Sequence, residues 1–158
     1  YNAKIVAVGP DGERVIPVDD FFVDLFENSL ADNEILKEIR IPTPAANSGG
    51  SYIKIERKVG DYAVAAVAVQ LTMDGDTCTA TRIGLTNVSP VPMRATNAEA
   101  AIIGKPLTED NIKAAGTAAS QECDPSADLR GSVEYKRDLV RIVTGRAIRA
   151  AAERAKGA

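Results

Sequence analysis

Ala65-Ala66-Val67-Ala68-Val69-Gln70-Leu71-Thr72-Met73-Asp74 sets Ala65, Val67, Val69, Leu71 and Met73 on one parity and Ala66, Ala68, Gln70, Thr72 and Asp74 on the other. Side chains alternate between the two faces of a strand, so this stretch predicts a long β-strand with one large apolar face and one small or polar face. Asp74-Gly75-Asp76 is a tight-turn sequence, and the β-branched run from Cys78 to Val88 follows it, which makes the pair an antiparallel hairpin. Alanines on the smaller face permit close packing by a helix or a further strand. Upstream, the charged stretch from Tyr52 to Asp61 supplies a third strand that bends at Gly60, and downstream Pro90 and Pro92 close the sheet region.

Beyond the prolines the pattern turns helical. Thr96 with Glu99 fits a capping box for a short helix to Ile103, ended by Gly104. Thr108 can cap a second helix with Ile112, Ala115 and Ala119 at core spacing, and Asp124-Pro125 stops it. Ser132 caps a last helix whose apolar stripe is Leu139, Val143, Ala147 and Ala150, with Arg149, Arg154 and Lys156 complementing the C-terminal dipole. At the other end, Lys4 to Val8 and Arg14 to Pro17 flank Gly9-Pro10-Asp11-Gly12, a hairpin signal. Asp19 or Asp20 then caps a short helix with Phe21, Phe22, Leu25 and Phe26 on one face, and Ile35, Ile39 and Ile41 alternate with Glu38 and Arg40 as in a half-buried strand. Pro42, Pro44 and Asn47-Ser48-Gly49-Gly50 break the chain, and Gly49-Gly50 reads as a linker. The expected fold is α+β: the break separates two subdomains, residues 1–48 and residues 49–158, the second with an antiparallel three-stranded sheet and a helical cluster.

Composition removes several classes of function. The 158-residue chain has no histidine, which excludes Ser-His-Asp and Cys-His catalysis and any histidine-ligated metal within it. A net charge of -3, with four Tyr and three Phe, gives neither a basic field nor stacking platforms for nucleic acid. Cys78 and Cys123 sit among small and apolar neighbours without a second ligand at metal spacing, so they read as buried free thiols of a reducing compartment. No apolar run approaches the ~18 residues of a membrane span, and no secretory leader is visible; a cytoplasmic protein is expected. The start at Tyr1, directly in a strand, points to a fragment.

Two charged clusters stand out. In Tyr52-Ile53-Lys54-Ile55-Glu56-Arg57-Lys58-Val59-Gly60-Asp61-Tyr62-Ala63, physics alone favours a charged edge strand with a glycine bend. The competing account is a binding edge: Lys54, Arg57 and Lys58 can neutralise phosphate or an electron-rich ring, Tyr62 can lie against a flat aromatic cofactor, and Asp61 can orient a neighbouring base. In Asp124 to Arg137, opposed charges around a helix start are usually a capping and loop-fixing network; the alternative is a docking surface for another subunit. There is no G-x-G-x-x-G and no phosphate-loop signature, so a nucleoside diphosphate would need residues from elsewhere.

Four stretches in order carry a family resemblance: Glu34-Ile35-Leu36 to Ile39-Arg40-Ile41-Pro42; Lys54-x-x-Arg57-Lys58-x-Gly60-Asp61-Tyr62-Ala63; Gly84-Leu85-Thr86-Asn87-Val88 with Pro92-x-Arg94-Ala95; and Asp124-Pro125 to Asp128-x-Arg130-Gly131-Ser132-x-Glu134-Tyr135. Together they resemble the C-terminal portion of the medium, FAD-binding subunit of the molybdenum hydroxylases, the carbon monoxide dehydrogenase and xanthine dehydrogenase family. The resemblance implies an FAD-dependent oxidoreductase subunit that passes electrons from 2Fe-2S clusters through FAD to an external acceptor. Its implied partners are a small iron-sulfur subunit and a large subunit holding the molybdenum cofactor, in a hetero-oligomer of the dimer-of-heterotrimers kind. By position, Leu36 and Lys54 match family residues that contact FAD, and Asp61 and Tyr62 match the segment beside the isoalloxazine ring. The family's two glycine-rich loops, which grip the FAD diphosphate, lie upstream of Tyr1, so the chain alone is expected to be inactive and to hold FAD weakly or not at all. The Gly60-Asp61-Tyr62-Ala63 form is closer to the bacterial three-subunit branch. The rival to this picture is a non-catalytic scaffold or subunit-interaction domain without flavin.

Overall fold

A computed structural model describes residues 1–157 and divides the chain into two units, Tyr1–Pro44 and a second beginning at Ala45. In the first, β1 (Lys4–Gly9) and β2 (Gly12–Pro17) form the expected hairpin, with Gly12 at φ 110°, a conformation open to glycine and costly to other residues. Phe22–Asp24 and Glu27–Asn28 make a two-stranded ribbon, β3 and β4, and β5 (Ile35–Arg40) pairs with the free side of β1 to give the order β2-β1-β5.

Two expectations fail in this unit. Residues 18–28 do not form a helix with an aromatic face: a single 3-10 turn, Val18–Asp20, leads into the β3–β4 ribbon. Side-chain oxygens offer the backbone another arrangement here, since Asp24 Oδ1 accepts from Leu25 N at 2.7 Å and Asn28 Oδ1 from Leu30 N at 2.9 Å. Of the four apolar residues only Phe21 is buried, with Ile5, Ala7 and Ile16. Nor is β5 half-buried. Its alternation is present, but all six residues are exposed.

The second unit is built on β6 (Ser48–Ile55), β7 (Ala65–Asp74) and β8 (Thr77–Thr86), antiparallel in sequence order. Two short strands, β9 (Met93–Arg94) and β10 (Lys105–Pro106), extend the sheet along β8, so that β6 is an edge. The parity of β7 decides the layering: Ala65, Val67, Val69, Leu71 and Met73 are all buried against α1 (Thr96–Ile102), α2 (Glu109–Glu122) and α3 (Val133–Lys156). Each large apolar side chain sealed in that layer contributes about 1.5–3 kcal/mol. Cys78 and Cys123 lie in the same core as free thiols, and burial pushes Cys78 up to about 11.

Thr108 and Ser132 cap α2 and α3 as expected, accepting from Asn111 N and Tyr135 N. Thr96 does not cap α1. The N-cap is Ala95, Thr96 turns to Glu122, and the Glu99 carboxylate is buried where it accepts from Ile83 N and Arg94, so tertiary partners outcompete the local box. On α3 the buried face runs through Val140, Val143, Ala147, Ile148, Ala151 and Ala155, with Leu139 and Ala150 at its margin. The basic residues near its end make specific contacts beyond any dipole effect: Arg149 with Glu109, Arg154 with Gly50 O and Lys156 with Asp76. Gly49-Gly50 is no linker. Both residues belong to β6, and a Cβ on Gly49 would stand 2.0 Å from Ala151 O, so only glycine lets the helix backbone approach the strand this closely. Among the described residues no helix is long and apolar enough to cross a membrane.

Candidate functional site

Strands β6 and β7 are paired up to Ile55 and Ala65, so residues 56–64 leave the sheet edge and return to the same point. The return is fixed by Val64 N donating to Ile55 O at 2.7 Å and by the Asn87 side-chain amide donating to Ala63 O at 2.7 Å. At the tip, Asp61 N donates to Lys58 O and Gly60 takes φ 86°, the left-handed turn its lack of Cβ permits. The loop therefore projects Val59, 96% exposed, and Tyr62, 81% exposed, from a closed base.

Charge holds the loop from behind. Asp61 Oδ1 accepts from Tyr62 N at 2.8 Å and from Arg130 Nη2 at 3.2 Å, while Oδ2 accepts from Arg57 Nε at 3.2 Å. The Arg130 guanidinium, followed by the Tyr62 N–H, holds the Asp61 carboxyl below the usual carboxylate range. Arg130 also lies 5.5 Å from the centroid of the Tyr62 ring, within cation-π range, so the ring has a cation on one side and solvent on the other. Lys54, on β6, reaches into the base of the loop: Nζ donates to Asp61 O at 3.1 Å and stands 2.5 Å from Glu56 Oε2, a charge pair held by proximity without an aligned hydrogen bond. The Glu56 carboxylate raises the Lys54 ammonium above its ordinary value.

Asp61 and Tyr62 thus lie in one loop of the second unit, and Lys54 on β6 reaches its base. Leu36 belongs to the first unit, on β5, where it pairs with Ala7 and is partly exposed. Asp61 orients two arginines and the Tyr62 backbone. The two charged clusters, distinct in sequence, meet here through Arg130 and Asp61, which are 69 residues apart. Arg130 and Asn87 both lie in the quoted stretches, yet neither stood out as a site residue. A signal existed for Asn87, whose φ of 62° suits the asparagine of a special turn. Nothing local marks Arg130 as the partner of Asp61. Among the described residues no group of acidic, cysteine or histidine side chains could hold a metal ion.

A family model described as the CO dehydrogenase flavoprotein C-terminal domain matches residues 50–151. The carbon monoxide dehydrogenase medium chain of Hydrogenophaga pseudoflava is 39% identical over 150 residues, which is 95% of this chain and 52% of that one. Its counterpart from Afipia carboxidovorans is 37% identical over 155 residues, 98% of this chain and 54% of the relative. A solved structure of the H. pseudoflava carbon monoxide dehydrogenase, in a form lacking the Mo-pyranopterin moiety of the molybdenum cofactor, matches at TM-score 0.95 and 42% identity over 97% of this chain and 53% of that chain. The chain spans about half the length of the curated relatives it matches. With four motif stretches in order, the α+β architecture and a domain match over most of its length, the chain belongs to the CO dehydrogenase flavoprotein C-terminal domain family, the C-terminal portion of the FAD-binding medium subunits.

Proposed function

We propose that this chain is part of the FAD-binding subunit of a molybdenum hydroxylase, with residues 1–48 ending the FAD-binding domain and residues 49–158 forming the domain that leans against the flavin. Leu36, Lys54, Asp61 and Tyr62 would contact FAD, which when bound would supply the redox chemistry between 2Fe-2S clusters on a small subunit and an external acceptor, with substrate chemistry on a large molybdenum subunit. The protein's own part is to orient the flavin, exclude water from it and set the charge around it. The carrying observation is Tyr62: an aromatic ring 81% exposed, yet held from behind by Arg130 and by the Asp61-bound backbone. An aromatic face so displayed fits a flat ring system, which it can cover while shielding it from solvent. Lys54 keeps the loop base in register through its bond to Asp61 O, and Leu36 is a separate candidate FAD contact within the first unit. The diphosphate grip falls to glycine-rich loops outside this chain, in keeping with its lack of a phosphate-loop signature.

The test is Tyr62→Ala in the intact FAD-binding subunit. An exposed side chain with one cation-π contact contributes about 1 kcal/mol or less to stability, so the melting temperature should change little. Flavin retention after desalting and the flavin midpoint potential should both change. A variant that matches the parent in both flavin properties removes Tyr62 from the site; a folded parent subunit that retains no FAD removes the flavin role altogether.

A further inference from the structure

Lys136 takes no part in the site as described, yet it is the largest fully buried side chain of the described residues, 1% exposed. It lies at the start of α3, where Ser132 already caps the helix. An ammonium sealed from water requires acceptors, and Nζ has two: Ser126 O at 2.9 Å and Asp128 Oδ2 at 2.8 Å. The second oxygen of Asp128 accepts from Arg130 N at 2.8 Å and Gly131 N at 3.2 Å, and Asp128 and Gly131 also pair through their backbones. The 126–131 loop is therefore wrapped around one cation. The side chain it presents is Arg130, which holds Asp61 and backs the Tyr62 ring.

Stability alone is a weak account of such a lysine, because a buried ion pair can often be replaced by apolar residues of like volume without loss. A fixed position for the loop is what the charge adds. We propose that Lys136 is a positioning residue for Tyr62, acting through Asp128, Arg130 and Asp61 to set the direction in which the ring faces the flavin. The flavin end of this proposal rests on the function proposed above; the link from Lys136 to Asp61 does not.

The experiment uses the intact FAD-binding subunit with Lys136→Met, Asp128→Asn and Tyr62→Ala. In FAD-free protein the Asp61 carboxyl is titrated by carbon-13 NMR; in loaded protein the flavin midpoint potential is measured. Lys136→Met and Asp128→Asn should both raise the Asp61 midpoint, because a loosened Arg130 no longer favours the carboxylate, although Arg57 and Lys54 remain beside it. Asp128→Asn is the sharper variant: it leaves the core packed, and removing a negative charge would by direct field effect lower the Asp61 midpoint, so a rise reports the loss of Arg130. Both variants should move the flavin potential in the direction that Tyr62→Ala moves it. An Asp61 midpoint unchanged or lowered in folded Asp128→Asn overturns the proposal, whether or not Lys136→Met folds. If the midpoint rises but Tyr62→Ala leaves the potential untouched, the positioning link stands and the flavin role of Tyr62 falls.

Discussion

Asp61 receives donors from three sides, and its depressed midpoint has a consequence for acid behaviour. A carboxylate stabilised in the folded state contributes fully above its ordinary value of 3.8 and loses that contribution as pH falls through the lower folded midpoint. Asp128, held down first by Lys136, follows the same sign. The backing of Tyr62 should therefore survive down to pH 3.8 and weaken only below it, as read by the Tyr62 ring proton shifts. Ring signals that titrate at or above 3.8 would contradict the Asp61–Arg130 pairing. Glu34 in the first unit, held at about 2 by Arg14 and the Ala31 N–H, should keep its pairing until the pH falls toward that value. The turn at Gly60 that carries Asp61 and Tyr62 was legible in sequence because glycine, aromatic and charge crowd into a few positions. Arg130 was not, since a partner 69 residues distant leaves no spacing to read.

Among elements, β7 was the most legible, because a period of two survives any change of neighbours. Residues 18–28 were the least: their aromatics have helical spacing, but Asp24 and Asn28 bond their own backbone and win over a short, exposed segment. The misreading of Gly49 has the same root, as a paired glycine signals flexibility unless the facing element is known. On β6 it is a point of closest contact, where an added Cβ would also lie 2.5 Å from Ala155 N. Gly49→Ala should lower stability by about 1–3 kcal/mol through overpacking. Gly84→Ala on β8, whose new Cβ would meet only Ala68 Cβ at 3.9 Å, should cost no more than about 1 kcal/mol. Thermal or denaturant melts of the two variants check this, and equal losses would refute the assigned contact.

At the scale of the molecule the two units differ in what they contain. The second has a continuous core running from Ala65 to Ala155 through sheet and helices, whereas the first buries Ile5, Ala7, Ile16 and Phe21 and leaves β5 bare. Residues 45–158 expressed alone should therefore unfold in one cooperative transition, with coincident curves by circular dichroism and by exposure of Cys78 and Cys123 to a thiol reagent. Non-coincident curves, or thiols that react before unfolding, would show that this unit depends on other chain. Burial of both cysteines also makes them slow to react while folded. The packing of α3 on β6 adds a matter of timing. Arg154 reaches Gly50 O across 104 residues, so at ~5–20 residues per second a ribosome needs about 5–20 s between making the first strand of the sheet and making the helix turn that clasps it. Through that interval the strand surface at Gly49 has no helix backbone to pack against.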